Sequence, residues 1–162
     1  MMITAYIGLG SNLDDPRAQV ERAFEELAGL PDCRLTGRSP LYRSAPMGPP
    51  DQPDYVNAVA AVETELAPEA LLDALHAIEA AHRRRRGGAR WGPRTLDLDL
   101  LLYGDRTVAT ARLTVSHPGL SERAFVLFPL HDLAPGLVLP DGMALAALLD
   151  RCPAGGLERL GG

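Results

Sequence analysis

The chain has 162 residues, 46% of them hydrophobic, with a formal net charge of −5, and all 16 of its basic residues are arginine. Such a length supports one domain, residues 1–162, with a real core, and the acidic balance argues against a general polyanion binder. Without lysine there is no GxxxxGK[ST] phosphate loop, kinase-type lysine or Schiff-base lysine, so a bound anion is held by arginine, backbone N–H groups or a metal.

Residues 3–8 are apolar and rich in β-formers, and they run into Gly8-Leu9-Gly10-Ser11-Asn12, which reads as a strand entering a turn. Asp15 followed by Pro16 marks a helix start, an N-cap acceptor before proline at the first helical position. Val20, Phe24 and Leu27 continue at helical spacing until Gly29 and Pro31. Residues 34–42 read as strand interrupted near Pro40. Residues 45–53 hold four prolines and a glycine and form a loop. Val56, Ala58, Ala60 and Val62 then alternate as a half-buried strand over 55–66.

Pro68 opens a second helix, with Leu71, Leu72, Leu75, Ile78 and Glu79 on roughly one face. It runs into an arginine cluster and stops at Gly87-Gly88. Residues 96–103 form the next strand, closed by Gly104-Asp105. Short helical pieces follow around 121–131 and 144–149. The glycine-rich end, 154–162, reads as mobile. The leading order, strand-helix-strand-strand-helix-strand, predicts an α+β domain: a ferredoxin-like two-layer sandwich with flanking helices over one face of a mostly antiparallel sheet.

Some exclusions narrow the function. Aromatic content of 5% is poor for a base-stacking RNA module. Cys33 and Cys152 are too few and too isolated for a disulfide framework or a thiolate metal site, and read as free thiols of a reducing compartment. Neither a charged-then-apolar leader nor an apolar run near the ~20 residues of a membrane span is seen. A cytoplasmic protein with no membrane partner is expected.

The chemistry concentrates in residues 83–102. Arg83, Arg84, Arg85, Arg86, Arg90 and Arg94 share a window with no acidic residue; a solvated helix end accounts for such a run equally well. In the strand that follows, i and i+2 side chains share a face, so Asp97 and Asp99 project together while Leu96, Leu98 and Leu100 go to the core. Two adjacent carboxylates on one sheet face repel unless a positive charge lies between them. Mg²⁺ suits the position, because it takes oxygen ligands and bridges carboxylates to phosphates; a solvent-facing strand whose acids pair with arginines also fits. Beside these acids, guanidinium groups offer phosphate a bidentate fork, so the parts match phosphoryl transfer.

Four blocks carry a family resemblance: Ile7-Gly8-Leu9-Gly10-Ser11-Asn12-Leu13; Gly48-Pro49-Pro50-Asp51-Gln52-Pro53-Asp54-Tyr55-Val56-Asn57; Arg90-Trp91-Gly92-Pro93-Arg94-Thr95-Leu96-Asp97-Leu98-Asp99; and Arg112-Leu113-Thr114 through His117 to Arg123-Ala124-Phe125. In order and spacing they resemble the 6-hydroxymethyl-7,8-dihydropterin pyrophosphokinases of folate biosynthesis. The resemblance implies transfer of the β,γ-diphosphate of ATP to the pterin hydroxymethyl group, with AMP released.

It also implies roles. Asp97 and Asp99 would hold two Mg²⁺ ions, and Arg84 and Arg94 would contact the triphosphate and support the transition state. Ser44, Tyr55, Asn57 and Phe125 would lie around the pterin, the two rings sandwiching it and the amide meeting its edge. Trp91 belongs to a loop that would close over the substrates. Glu79, Leu100, Arg112, Thr114, His117 and Arg123 fall on the nucleotide side. The resemblance implies a monomer with ATP and pterin as partners and no nucleic acid. Two positions depart from the family pattern: Arg83 stands where glycine is frequent, and Ser116 where proline is common.

Without the resemblance, core packing would account for Phe125, and His117 would be structural. His76, His82 and His131 lack metal-ligand spacing. Two other functions compete. A nucleotide-sugar glycosyltransferase also uses Asp-x-Asp with a divalent ion, but the chain lacks room for its βα array. A small RNA-binding domain would use the arginine cluster and have no need of Asp97.

Overall fold

The computed structural model describes residues 2–12, 15–44, 54–86, 96–110, 113–115, 123–152 and 157–160, with side chains left out at 83–86. The elements in chain order are β1 (Ile3–Ser11), α1 (Pro16–Ala28), β2 (Cys33–Arg38), β3 (Tyr42–Ser44), β4 (Tyr55–Thr64), α2 (Pro68–Arg86), β5 (Asp97–Tyr103), β6 (Val108–Ala109), β7 (Thr114–Val115), α3 (Ala124–Leu133), α4 (Leu145–Arg151) and β8 (Glu158–Arg159).

Local chemistry explains the first helix. The Asp15 side chain accepts the Ala18 N–H at 3.4 Å, Pro16 opens the first turn, and Gly29 closes the last by donating its N–H to carbonyls of the final turn. Its Val20, Ala23, Phe24 and Leu27 are fully buried at helical spacing. α2 buries Leu71, Leu72, Leu75 and Ile78 in the same way.

The sheet runs β5-β1-β4-β3-β8, with β2 also paired to β4, and every pairing is antiparallel. β4 therefore lies between β1 and β2, and β1 lies between β4 and β5. The two strand-helix-strand units interlock, which is the ferredoxin-like α+β arrangement.

This topology changes the reading of two strands. β4 is central, so Asn57, Val59 and Ala61 are buried as well as Val56, Ala58, Ala60 and Val62. The expectation of a half-buried strand fails because alternation here separates two cores rather than core from water. β1 does not turn at its glycines. Gly8 and Gly10 pair with Val59 and Asn57 on one side and with Asp99 and Asp97 on the other. Hydrogen-bonded neighbours on both sides carry the strand through to Ser11.

Each sheet face has its own core. Ile7, Leu9, Leu98 and Leu100 pack with α1 and α2. Val59, Leu101 and Leu102 pack on the opposite face with Val126, Leu127 and Leu130 of α3 and Leu145 of α4. A register shift between Tyr6 and Ile7 leaves Leu101 without an opposite residue, and this bulge puts two consecutive leucines into the second core. α3 and α4 thus add a layer over the face that the sequence reading left bare.

Within the end expected to be mobile, residues 157–160 are held: β8 pairs with β3, and the Leu160 N–H donates to the Leu41 carbonyl at 2.8 Å, while 154–156 and 161–162 lie outside the described residues. His82 is structural, as read from sequence. It is fully buried, with its two ring nitrogens on Gln19 and Glu26 of α1, and ties the end of α2 to that helix.

Candidate active site

A cavity of about 190 Å³ opens on the α3 face of the sheet, lined by Gly8, Leu9, Gly10, Ser44, Tyr55, Asn57, Ala58, Asp97, Asp99, Arg123, Phe125 and Val126. Four adjacent strands, β5, β1, β4 and β3, and the start of α3 supply it. The register explains the grouping: Gly10 lies opposite Asn57 on β4 and opposite Asp97 on β5. Side chains of β4 and β5 that share this face meet over β1, whose two glycines carry none.

The glycines form the floor. A Cβ on Gly10 would stand 3.2 Å from Asn57 Oδ1, whereas one on Gly8 would touch the Leu101 side chain at an ordinary 3.4 Å. Neither glycine was assigned a function from the sequence. The signal was present, since glycines at i and i+2 inside a strand mark a close approach to one face.

On one wall, Asn57 is 4% exposed and donates through Nδ2 to Ser44 Oγ at 2.7 Å. The amide nitrogen thus faces Ser44, and Oδ1 lies over Gly10. Tyr55 and Phe125 are half-buried, and the Arg123 guanidinium lies 5.8 Å from the centre of the Phe125 ring. Phe125 packs against the second core and also lines the cavity.

On the other wall, Asp97 is half-buried and Asp99 exposed, both facing the cavity, while Leu98 between them is buried in the opposite core. The i, i+2 reading of this strand holds. Among the described residues no group of three or more His, Cys, Asp or Glu side chains could hold a metal ion.

The nucleotide-side residues are placed unevenly. Arg123 lines the cavity. Glu79 does not; its carboxylate accepts the Leu98 N–H at 2.7 Å from α2. The Leu100 side chain is buried in the first core, facing away from the two aspartates, and Thr114 is exposed on β7, outside the lining. Trp91, Arg94, Arg112, His117 and the side chain of Arg84 lie outside the described residues, as do the departures Arg83, by its side chain, and Ser116.

Residues 6–135 match the model of a family described as 7,8-dihydro-6-hydroxymethylpterin-pyrophosphokinase (HPPK). A 2-amino-4-hydroxy-6-hydroxymethyldihydropteridine pyrophosphokinase of Pseudomonas aeruginosa is 54% identical over 162 residues, covering 100% of this chain and 99% of that one. The enzyme of the same name from Haemophilus influenzae is 49% identical over 148 residues, 91% of this chain and 92% of that one. Among solved structures, wild-type Plasmodium falciparum HPPK-DHPS with pteroate superposes with a TM-score of 0.71 over 93% of this chain at 12% identity, and the chain spans 42% of that longer protein. That likeness supports the fold.

Proposed function

The chain belongs to the 7,8-dihydro-6-hydroxymethylpterin-pyrophosphokinase family, and from this premise we propose that the cavity between β4, β1 and β5 is where the pterin meets the triphosphate. The reaction is the pyrophosphokinase step of folate biosynthesis: the β,γ-diphosphate of ATP passes to the hydroxyl of 6-hydroxymethyl-7,8-dihydropterin and AMP leaves. The family membership favours this reading over the glycosyltransferase and RNA-binding ones.

One observation carries the assignment of the cavity. The strand register sets Asn57 and Tyr55 on one side of a glycine floor and Asp97 and Asp99 on the other. A flat heterocycle with several donors and acceptors suits a slot between Tyr55 and Phe125, with Asn57 at its edge. The volume, about 190 Å³, is below the roughly 300–1,000 Å³ of pockets that enclose a drug-sized ligand. It accommodates one planar ring system, and the triphosphate would lie outside it, toward exposed Asp99.

Two carboxylates on one strand face make a donor set that fits Mg²⁺ shared with phosphate oxygens, and Asp97 and Asp99 would hold the two ions of this reading. Bound there, the metal neutralises phosphate charge. The chain's own groups supply the rest. Asn57 and the two rings orient the hydroxymethyl group for in-line attack on the β-phosphorus, and a loose transition state needs no strong base. Arg123, at the mouth of the cavity, and Arg84 and Arg94 from the arginine window would steady the charge that develops on the phosphates. Trp91, Arg112, Thr114 and His117 would complete the loop and nucleotide contacts, and Leu100 would contribute through its backbone.

We infer a monomer, the state that the family resemblance implies. The cytoplasmic placement stays with this reading; no helix among the described residues is long and apolar enough to cross a membrane. The test is AMP release from ATP and Mg²⁺ with and without the pterin, in the parent chain and Asn57→Ala. Pterin-dependent AMP and a raised pterin KM in Asn57→Ala are expected. An unchanged KM in that variant would overturn the placement of the pterin.

A further inference from the structure

The C-terminal segment reaches the cavity wall through β3. This strand has only three residues and is held by β4 on one side and β8 on the other. Tyr42 stands opposite Asn57 on β4 and opposite Arg159 on β8, so one line of pairing joins the chain end to a cavity residue. Two positions along β3, Ser44 accepts the Asn57 amide.

Side chains lock the same pairing. Arg43 meets Glu158 at 2.7 Å. Arg159 meets Asp132 of α3 at 2.8 Å and donates to the Tyr42 hydroxyl at 3.3 Å, while that hydroxyl donates to Asp132. Leu160 packs against the first core. The cluster therefore clasps β3 to α3, the helix that begins with Ala124 and Phe125. Without β8, a three-residue strand paired on one edge alone would have few contacts to hold it, and such elements are drawn from the low-stability end of a fold.

We propose that residues 157–160, through Glu158 and Arg159, position the pterin wall of the cavity, and so set affinity for the heterocycle without setting affinity for the nucleotide. The inference rests on the assignment of that wall to the pterin. Arg159 and Glu158 touch neither substrate; they act through Tyr42, Arg43 and Asp132 on Ser44, Asn57 and Phe125.

Calorimetry on the full chain tests it. The pterin is titrated in the presence of a non-hydrolysable ATP analogue with Mg²⁺, and the analogue is titrated alone. Arg159→Ala, Arg159→Lys, Glu158→Ala, a chain ending at Gly156 and Asn57→Ala are compared. Pterin Kd should weaken about tenfold in the shortened chain, or about 1.4 kcal/mol, and several-fold in Arg159→Ala, with partial recovery in Arg159→Lys. Analogue Kd should stay within about twofold, well under the 1.4 kcal/mol of a tenfold change. Equal weakening of both ligands would reduce the clasp to general stability and overturn the inference. So would unchanged pterin affinity in the clasp variants while Asn57→Ala loses it. Unchanged affinity in Asn57→Ala as well would remove the pterin assignment, and the inference with it. Should the shortened chain not fold, the point variants decide the question by the same criteria.

Discussion

The carboxylate of Glu79 on α2 accepts the backbone N–H of Leu98, the residue between Asp97 and Asp99, at 2.7 Å. Among the described residues β5 ends the sheet, with β1 as its strand neighbour, and the helix supplies the acceptor for the Leu98 N–H. The bond holds β5 at the residue between the two aspartates, and Glu79 lies outside the cavity lining.

Glu79→Ala should therefore lower turnover more than it weakens pterin binding. Leaving a part-buried N–H unsatisfied costs about 1–3 kcal/mol. Glu79→Gln keeps an acceptor oxygen and should recover most of the loss. Steady-state kinetics on both variants, with circular dichroism to confirm the fold, checks this; an equal deficit in Gln and Ala would refute the hydrogen-bond account.

Asp97→Ala and Asp99→Ala should each reduce turnover by on the order of 10²–10³-fold, the scale seen when one group stabilising developing charge is removed. Asp99 is exposed, so its replacement should change unfolding free energy by under about 0.5 kcal/mol. Turnover within a few-fold of the parent in either variant would exclude a metal role for that residue. Isothermal titration of Mg²⁺ with the ATP analogue supplies a second readout.

Gly10→Ala and Gly8→Ala should separate cleanly. At Gly10 the added methyl crowds Asn57 Oδ1 at 3.2 Å, while at Gly8 it makes ordinary contact with Leu101. Overpacking typically costs about 1–3 kcal/mol, and at Gly10 that should appear as a pterin KM raised by roughly tenfold or more. Gly8→Ala should leave KM close to that of the parent. Comparable KM values in the two variants would contradict the floor geometry.

The Tyr42 phenol is raised above its ordinary value, first by burial and then by its hydrogen bond to Asp132. The folded chain therefore favours the neutral phenol more than the unfolded chain, which ionises near pH 10. That contribution is fully present below about pH 10 and is lost as pH rises through the elevated folded value. Urea unfolding from pH 8 to 11 should show the parent losing more stability above pH 10 than Tyr42→Phe. Burial raises Tyr6 as well, but that effect is common to both chains and cancels in the difference. Parallel pH profiles would remove Tyr42 as the source.

Much of the fold was legible because its signals are local. Asp15-Pro16 with Val20, Phe24 and Leu27 specifies α1 through capping and a 3.6-residue period, both of which survive in the structure. Leu98 between two aspartates specifies the two faces of β5 through the period of two. The pair Gly8 and Gly10 misled because glycine weakens a strand on its own, yet a central strand with partners on both sides keeps its ladder. β8 was missed because two exposed residues in a glycine-rich end carry no periodicity; their pairing exists only once β3 offers an open edge.

By itself, then, the sequence determined the helices, the facing of Asp97 and Asp99, and the family, since capping, period and motif act over neighbouring residues. Only the tertiary structure decided that Asn57 and Asp97 stand on either side of Gly10, that the Glu79 carboxylate meets the Leu98 N–H, and that Arg159 grips Tyr42 and Asp132. Strand register and edge pairing join residues between 19 and 117 positions apart. Such contacts are chosen by which strands lie side by side after the two crossovers interlock, and no local pattern encodes them.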